Sequence, residues 1–119
     1  MKQEDKELLL KDLSARLPYG VKCQFENTIE TIKEIWFCED ESWQVDGEKT
    51  STCIHAVKPY LFPLSSMTET QRNEYHDLLY NPKHGIHIDY FDWCHKNKLD
   101  CRGLIPMGLA IDATGLNIY

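Results

Sequence analysis

The chain has 119 residues, 42% of them apolar, and a formal net charge of −6. This length suits one domain with its own core, and the apolar content excludes a disordered chain. The acidic balance argues against general nucleic-acid binding and against docking on anionic lipid, because both require clustered Lys and Arg.

The first predicted element is an amphipathic helix over Glu4 to Leu17. Leu9, Leu13 and Leu17 recur every four residues, Leu10 broadens the stripe, and Glu4, Asp5 and Glu7 sit where the helix dipole favours acids. Pro18 stops it and Tyr19-Gly20 turns the chain. Val21 to Glu26 alternates strictly, so Val21, Cys23 and Phe25 face a core and Lys22, Gln24 and Glu26 face solvent. Within residues 29–38, Ile29, Ile32, Ile35 and Trp36 also fit a helical face. The β-branched and aromatic content favours a second strand over about Thr31 to Cys38.

Ser42 to Asp46 alternates again, with Trp43 and Val45 expected inward and Asp46-Gly47 as the turn. Thr52 to Val57 reads as a fourth short strand or a single turn. Pro59 and Pro63 then impose extended backbone at Lys58 and Phe62, which marks a connector between two halves. Thr68-Glu69-Thr70-Gln71 is a capping box opening a helix to about Tyr80 with Tyr75, Leu78 and Leu79 on its apolar face. Asp89 is expected to cap a further helix carrying Tyr90, Phe91, Trp93 and Cys94. Leu104, Ile105, Leu109, Ala110 and Ile111 make a last apolar patch.

These elements predict a single α+β domain over residues 1–119. An N-terminal helix and a small curved antiparallel sheet or partial barrel occupy about 1–64, and a helical half occupies about 65–119. No run of about 18 apolar residues exists to span a membrane, and Leu8-Leu9-Leu10 is too short for a leader core. Five cysteines, an odd number with no C-x-x-C pair, read as reduced thiols in a cytoplasmic protein.

Three segments carry a family resemblance. They are Asp12 to Val21, then Lys58-Pro59-Tyr60-Leu61 with Pro63 to Thr68, and finally Phe91-Asp92-Trp93 with Asp100 to Ile105 and Gly108-Leu109-Ala110. In this order they resemble a family of short proteins encoded in genomes, phages and mobile elements of Bacteroides-group gut bacteria. The resemblance spans the chain and covers about half of it. It implies no activity, cofactor or catalytic residue. The chain departs from the family pattern at Phe62, at Cys94-His95 and at Pro106.

Two clusters could carry chemistry. Between Glu26 and Glu48 lie eight acids and one base, Lys33, a net −7 that leaves +1 for the rest. Glu39-Asp40-Glu41 at its centre reads as a hairpin loop, or as a docking face for a basic protein partner. Arg102 can hydrogen-bond helix-end carbonyls or Asp100, or contact a partner's anion. The second cluster runs from His84 to Cys101. His84, His87, Asp89 and His95 are candidate metal ligands, with His87 and Asp89 on one side of an extended segment, although no H-E-x-x-H occurs. The bland reading makes Asp89 a cap, Asp92 and His95 a solvated face, and Cys94 a core residue. No nucleophile elbow or phosphate loop is present. The sequence therefore favours a non-enzymatic accessory or interaction module without a cofactor, with a small metal or thiol enzyme using His84 to Cys101 as the alternative.

Overall fold

The computed structural model describes residues 1–40, 42–80 and 87–119, with no side chain described at 79 or at 87–89. The leucine stripe forms helix α1 (Gln3–Arg16), which buries Leu9 and Leu13. A 3-10 turn over Leu17–Tyr19 extends it, and Gly20 closes it at φ 71° while its N–H reaches the Leu17 carbonyl at 3.3 Å. That left-handed conformation costs glycine nothing, which explains the abrupt stop after Pro18-Tyr19.

Six strands follow at β1 (Lys22–Phe25), β2 (Thr28–Thr31), β3 (Glu34–Phe37), β4 (Trp43–Asp46), β5 (Ser51–Cys53) and β6 (Val57–Leu61). Helices α2 (Glu69–Tyr80) and α3 (His87–Lys96) come next, and β7 (Ile111–Asp112) closes the series. The strands make two sheets, ordered β2-β1-β6-β7 and β3-β4-β5. All pairings are antiparallel except β6 with β7, which is parallel.

The protein is α+β, as the patterning predicts, but four expectations need correction. First, residues 31–38 are not one strand. The chain leaves the first sheet after Thr31, buries Ile32, and enters the second at Glu34. Two sheets thus stand where one small curved sheet was expected.

Second, the proline connector is itself a strand. Val57, Pro59, Tyr60 and Leu61 are buried within β6. Proline's fixed φ and the extended residue before it both suit a strand. Its missing donor is tolerated because β7 pairs only with Tyr60 and Leu61, so Pro59 has a strand neighbour on the β1 side alone.

Third, the second half is not simply helical. After Lys96 the described chain is turns and loop, with a bridge from Leu99 to Phe62 and the two-residue strand β7, that return beside β6. Phe62 N–H donates to the Lys98 carbonyl (2.8 Å), Asp100 N–H to the Phe62 carbonyl (2.9 Å), and Ala113 N–H to the Leu61 carbonyl (2.8 Å). Fourth, Asp89 lies inside α3 rather than before it, so it is not the cap.

The capping box holds. Thr68 N–H donates to the Gln71 side chain at 3.0 Å, and Gln71 N–H to the Thr68 hydroxyl at 3.1 Å. One core joins both halves of the chain: Leu9, Leu13, Phe25, Val45, Val57 and Leu61 pack with Leu104, Leu109 and Ala110.

Glu30 links the two sheets. Its buried carboxylate accepts from the Thr28 and Thr50 hydroxyls and from the Lys49 and Thr50 N–H groups. Gly47 makes room for it, since a Cβ there would lie 2.6 Å from Glu30 Oε1.

Candidate functional site

The most unusual chemistry is a charged cluster inside the core. Asp12 and Arg16, one helical turn apart on α1, share the buried face of the leucine stripe. Both side chains are 0% exposed. Arg16 Nε donates to Asp12 Oδ2 at 2.8 Å and Nη2 to Oδ1 at 3.0 Å, a planar fork on a planar carboxylate. The same Nη2 reaches the Leu99 carbonyl at 2.7 Å. Arg102, arriving from the loop after α3, adds Nη1 to Asp12 Oδ1 at 2.9 Å and to His95 Nε2 at 2.8 Å. A guanidinium only donates, so His95 Nε2 accepts and its ring proton sits on Nδ1.

Two thiols complete the cluster. Cys94 is buried on α3, and Cys101 is half-buried beside Arg102. Cys101 Sγ lies 3.6 Å from Arg102 Nη1 and 4.0 Å from Arg16 Nη2. Its thiol is held well below the ordinary range, first by a hydrogen bond with the Cys94 thiol, then by one with His95 and by the two guanidinium charges. Cys94 is pushed up for the converse reason: it keeps the shared proton, and burial adds to that.

Charge accounting gives the same polarity. Arg16 and Arg102 bring two positive charges and Asp12 one negative charge, so a Cys101 thiolate neutralises the cluster. Arg16 Nη1 is buried with no hydrogen-bond partner among the described residues.

Cys101 and Arg102 open onto a cavity of about 630 Å³, lined also by Leu8, Lys11, Phe91 and Asp92. The Arg102 guanidinium stands over the Phe91 ring, 5.3 Å from its centroid.

The ligand atoms of Asp12, His95 and Cys101 lie within 4.8 Å of one another, a spacing that would admit a metal ion. The donor set nevertheless fits a cation poorly. Arg102 Nη1 already occupies the space between Asp12 and His95, and a metal would have to displace it and sit against two fixed positive charges.

Of the metal candidates from sequence, His84 lies outside the described residues, as do the side chains of His87 and Asp89. The backbone of the latter two is helical, so they do not share one side of an extended segment. His95 is not on a solvated face; it is 4% exposed and bound to Arg102. Arg102 contacts Asp12 rather than Asp100, whose carboxylate accepts the Leu104 and Ile105 N–H groups. Sequence reasoning named Cys101 within the His84 to Cys101 cluster but missed Asp12 and Arg16. The available signal was an i,i+4 ion pair set on the apolar stripe of α1.

A second candidate surface is the far end of the three-stranded sheet. Register places Phe37 opposite Trp43 and Trp36 opposite Gln44. Phe37 is 54% exposed, Trp36 40% and Trp43 37%, which corrects the inward placement of Trp43; only Val45 turns fully inward. The Phe37 and Trp43 rings meet at 5.0 Å between centroids. They border a groove of about 500 Å³ whose other wall is α1, at Lys6, Glu7 and Leu10.

Glu34, Glu39, Asp40 and Glu48 are exposed in the same part of the chain, while Glu41 lies outside the described residues. Asp40 accepts from the Ser42 hydroxyl and N–H, which holds its carboxyl below the usual range. Glu30 is withdrawn from this acidic face by its internal bonds.

Compared with protein families, curated proteins and solved structures, the chain has no match. Its class is therefore set by the coordinates alone: an α+β protein of two small sheets, with a buried Asp–Arg–Arg–thiol cluster and an exposed acidic, aromatic sheet tip. No helix among the described residues is long and apolar enough to cross a membrane.

Proposed function

We propose that the protein is an accessory module of phage or mobile-element origin that acts in the cytoplasm by binding a basic protein partner. The observation that carries this reading is the pairing of Phe37 and Trp43 on one face of the small sheet, each more than a third exposed, within the most acidic part of the chain. Exposed aromatics concentrate at interfaces and supply most of their binding energy. Surrounding carboxylates steer a cationic partner and reject nucleic acid or anionic lipid. Glu39 and Asp40 belong to this face. Arg102, tied to Asp12, does not.

The test is affinity capture from lysate of a Bacteroides-group host, run at low and high salt with wild-type protein, with Phe37→Ala/Trp43→Ala, and with Glu39→Gln/Asp40→Asn. The expected result is one basic protein retained by wild type. Its capture should fall about 10-fold or more with the aromatic pair removed, and fall with salt and with the charge changes. Equal retention by all three proteins, indifferent to salt, would overturn the reading. So would micromolar binding of the purified protein to DNA.

A further inference from the structure

The buried cluster is elaborate for a device that only holds α1 to the C-terminal loop. Asp12 and Arg16 alone would link α1 to Leu99 through the guanidinium–carbonyl bond. What that link does not require is a half-exposed thiol at the cavity wall, backed by a second thiol and faced by two guanidinium groups. We propose that Cys101 and Cys94 form a dithiol site that reacts with small hydroperoxides, Cys101 attacking and Cys94 resolving.

The geometry assigns each role. Cys101 lines the cavity and is the sulfur a solute can reach. Cys94 is 0% exposed, so it can meet only what Cys101 has already become. Leu99 ties the two residues into one turn, donating its N–H to the Cys94 carbonyl at 2.9 Å and accepting the Cys101 N–H at 3.1 Å. Cys23, the other fully buried thiol, is pushed up chiefly by burial and is sealed in the core. Leu8 and Phe91 give the cavity apolar wall for an alkyl tail, and Lys11 and Arg102 give it positive charge near the sulfur.

In the first step the Cys101 thiolate attacks one peroxide oxygen. The S–O bond forms, the O–O bond breaks, and the leaving alkoxide or hydroxide takes a proton from solvent in the cavity. Cys101 is oxidised by two electrons to the sulfenic acid, and the peroxide is reduced to an alcohol or water. Arg102 Nη1, 3.6 Å from the sulfur, is placed to stabilise negative charge developing on the departing oxygen. In the second step the Cys94 sulfur attacks the sulfenic sulfur. The S–S bond forms, the S–O bond breaks, and hydroxide leaves with the Cys94 proton as water. Two equivalents of a small cellular thiol, exchanging in turn through a mixed disulfide and leaving as their own disulfide, return the pair to its reduced form.

Every charged or titratable group around Cys101 bears on its reactivity: Asp12 and Arg16 from α1, Cys94, His95 and Asp92 from α3, Arg102 from the loop, and Lys11 across the cavity. An ordinary thiol is only a few per cent ionised at pH 7. A thiolate held ionised here is always available but less nucleophilic for its lower pKa, so the two effects largely offset at pH 7, and its advantage comes from the Arg102 charge at the departing oxygen and grows as pH falls.

The experiment treats the full chain at pH 7 with one equivalent of hydrogen peroxide or tert-butyl hydroperoxide and maps the products by peptide mass spectrometry. Wild type should give a Cys94–Cys101 disulfide before Cys38 or Cys53 is oxidised. Cys94→Ser should stop at a Cys101 sulfenic acid that dimedone traps. Arg102→Gln should slow oxidation about 10-fold, with circular dichroism confirming the fold. Competitive alkylation of unaltered wild type at about pH 5.5, where ordinary thiols are almost wholly protonated, guards against folding defects in the variants and should label Cys101 first. Oxidation or alkylation of Cys38 or Cys53 as fast as Cys101, or an unchanged product in Cys94→Ser, would overturn the assignment.

Discussion

Replacing Asp12 with Ala tests the central structural claim. The carboxylate is fully buried and accepts three charge-assisted bonds, two from Arg16 and one from Arg102. Without it, Arg16 stays fully buried and keeps the Leu99 carbonyl, and Arg102, 12% exposed, keeps His95. Two guanidinium charges then lack their carboxylate.

Breaking a buried ion pair from one side costs about 3–5 kcal/mol, because the abandoned charge remains in a poorly solvating site. A domain of this size has about 5–15 kcal/mol in total, and its melting point falls about 3–5 °C per kcal/mol, so Asp12→Ala should melt about 10–20 °C lower. Urea unfolding followed by circular dichroism measures the free energy directly. Asp12→Ala combined with Arg16→Met should be less destabilised than Asp12→Ala alone, since it removes the stranded charge and leaves an apolar side chain of similar length. The reasoning fails if Asp12→Ala costs under about 1 kcal/mol, or if the double variant is simply additive.

Two further outcomes follow from the sheet junction. Four hydrogen bonds, led by the Thr28 and Thr50 hydroxyls, hold the Glu30 carboxyl down to about 2. A depressed carboxylate contributes stability that is fully present above its unfolded pKa, about 4.3, and is lost as pH falls toward 2. Wild type should therefore lose stability between about pH 4.5 and 2, and Glu30→Gln should show a shallower decline across that window in urea melts at stepped pH. Gly47→Ala places a methyl 2.6 Å from Glu30 Oε1 and 3.0 Å from Phe25 Cε2. It should cost about 1–3 kcal/mol by thermal melt, and a neutral result would refute the close approach of the two sheets at that turn.

Much of the local structure was legible in the residue pattern. The leucine stripe of α1, the alternation of β1, the Asp46-Gly47 turn and the Thr68–Gln71 box all depend on neighbours within a few positions. Chain geometry alone converts such spacing into a helix face, a strand face or a cap. The misread elements share another feature: their state depends on what lies alongside. Residues 57–61 resemble a linker because Pro59 falls within them and Pro63 just beyond, yet β1 on one side makes them a strand. Trp43 alternates like a core residue, but the sheet is short and its end overhangs the core. Asp89 resembles a cap, yet α3 begins two residues earlier.

The candidate sites divide the same way. The acidic window was visible by counting charges, because charge is a property of the residue wherever it folds. Which of those acids remains available was not visible, and Glu30 drops out only because Thr28 and the turn at Lys49-Thr50 converge on it. The Asp12–Arg16 half of the buried cluster is written into α1 as an i,i+4 pair. Its other half, Cys94, His95, Cys101 and Arg102, arrives from about 80 to 90 residues away in sequence. Nothing local specifies that meeting. It follows from the packing of α3 against α1 and from the return of the C-terminal loop beside β6. Chain-local periodicity therefore determined the elements and the acidic surface of this protein. Long-range packing decided its sheet order, its exposed aromatics and its thiol site, because burial and ion pairing depend on where distant segments meet.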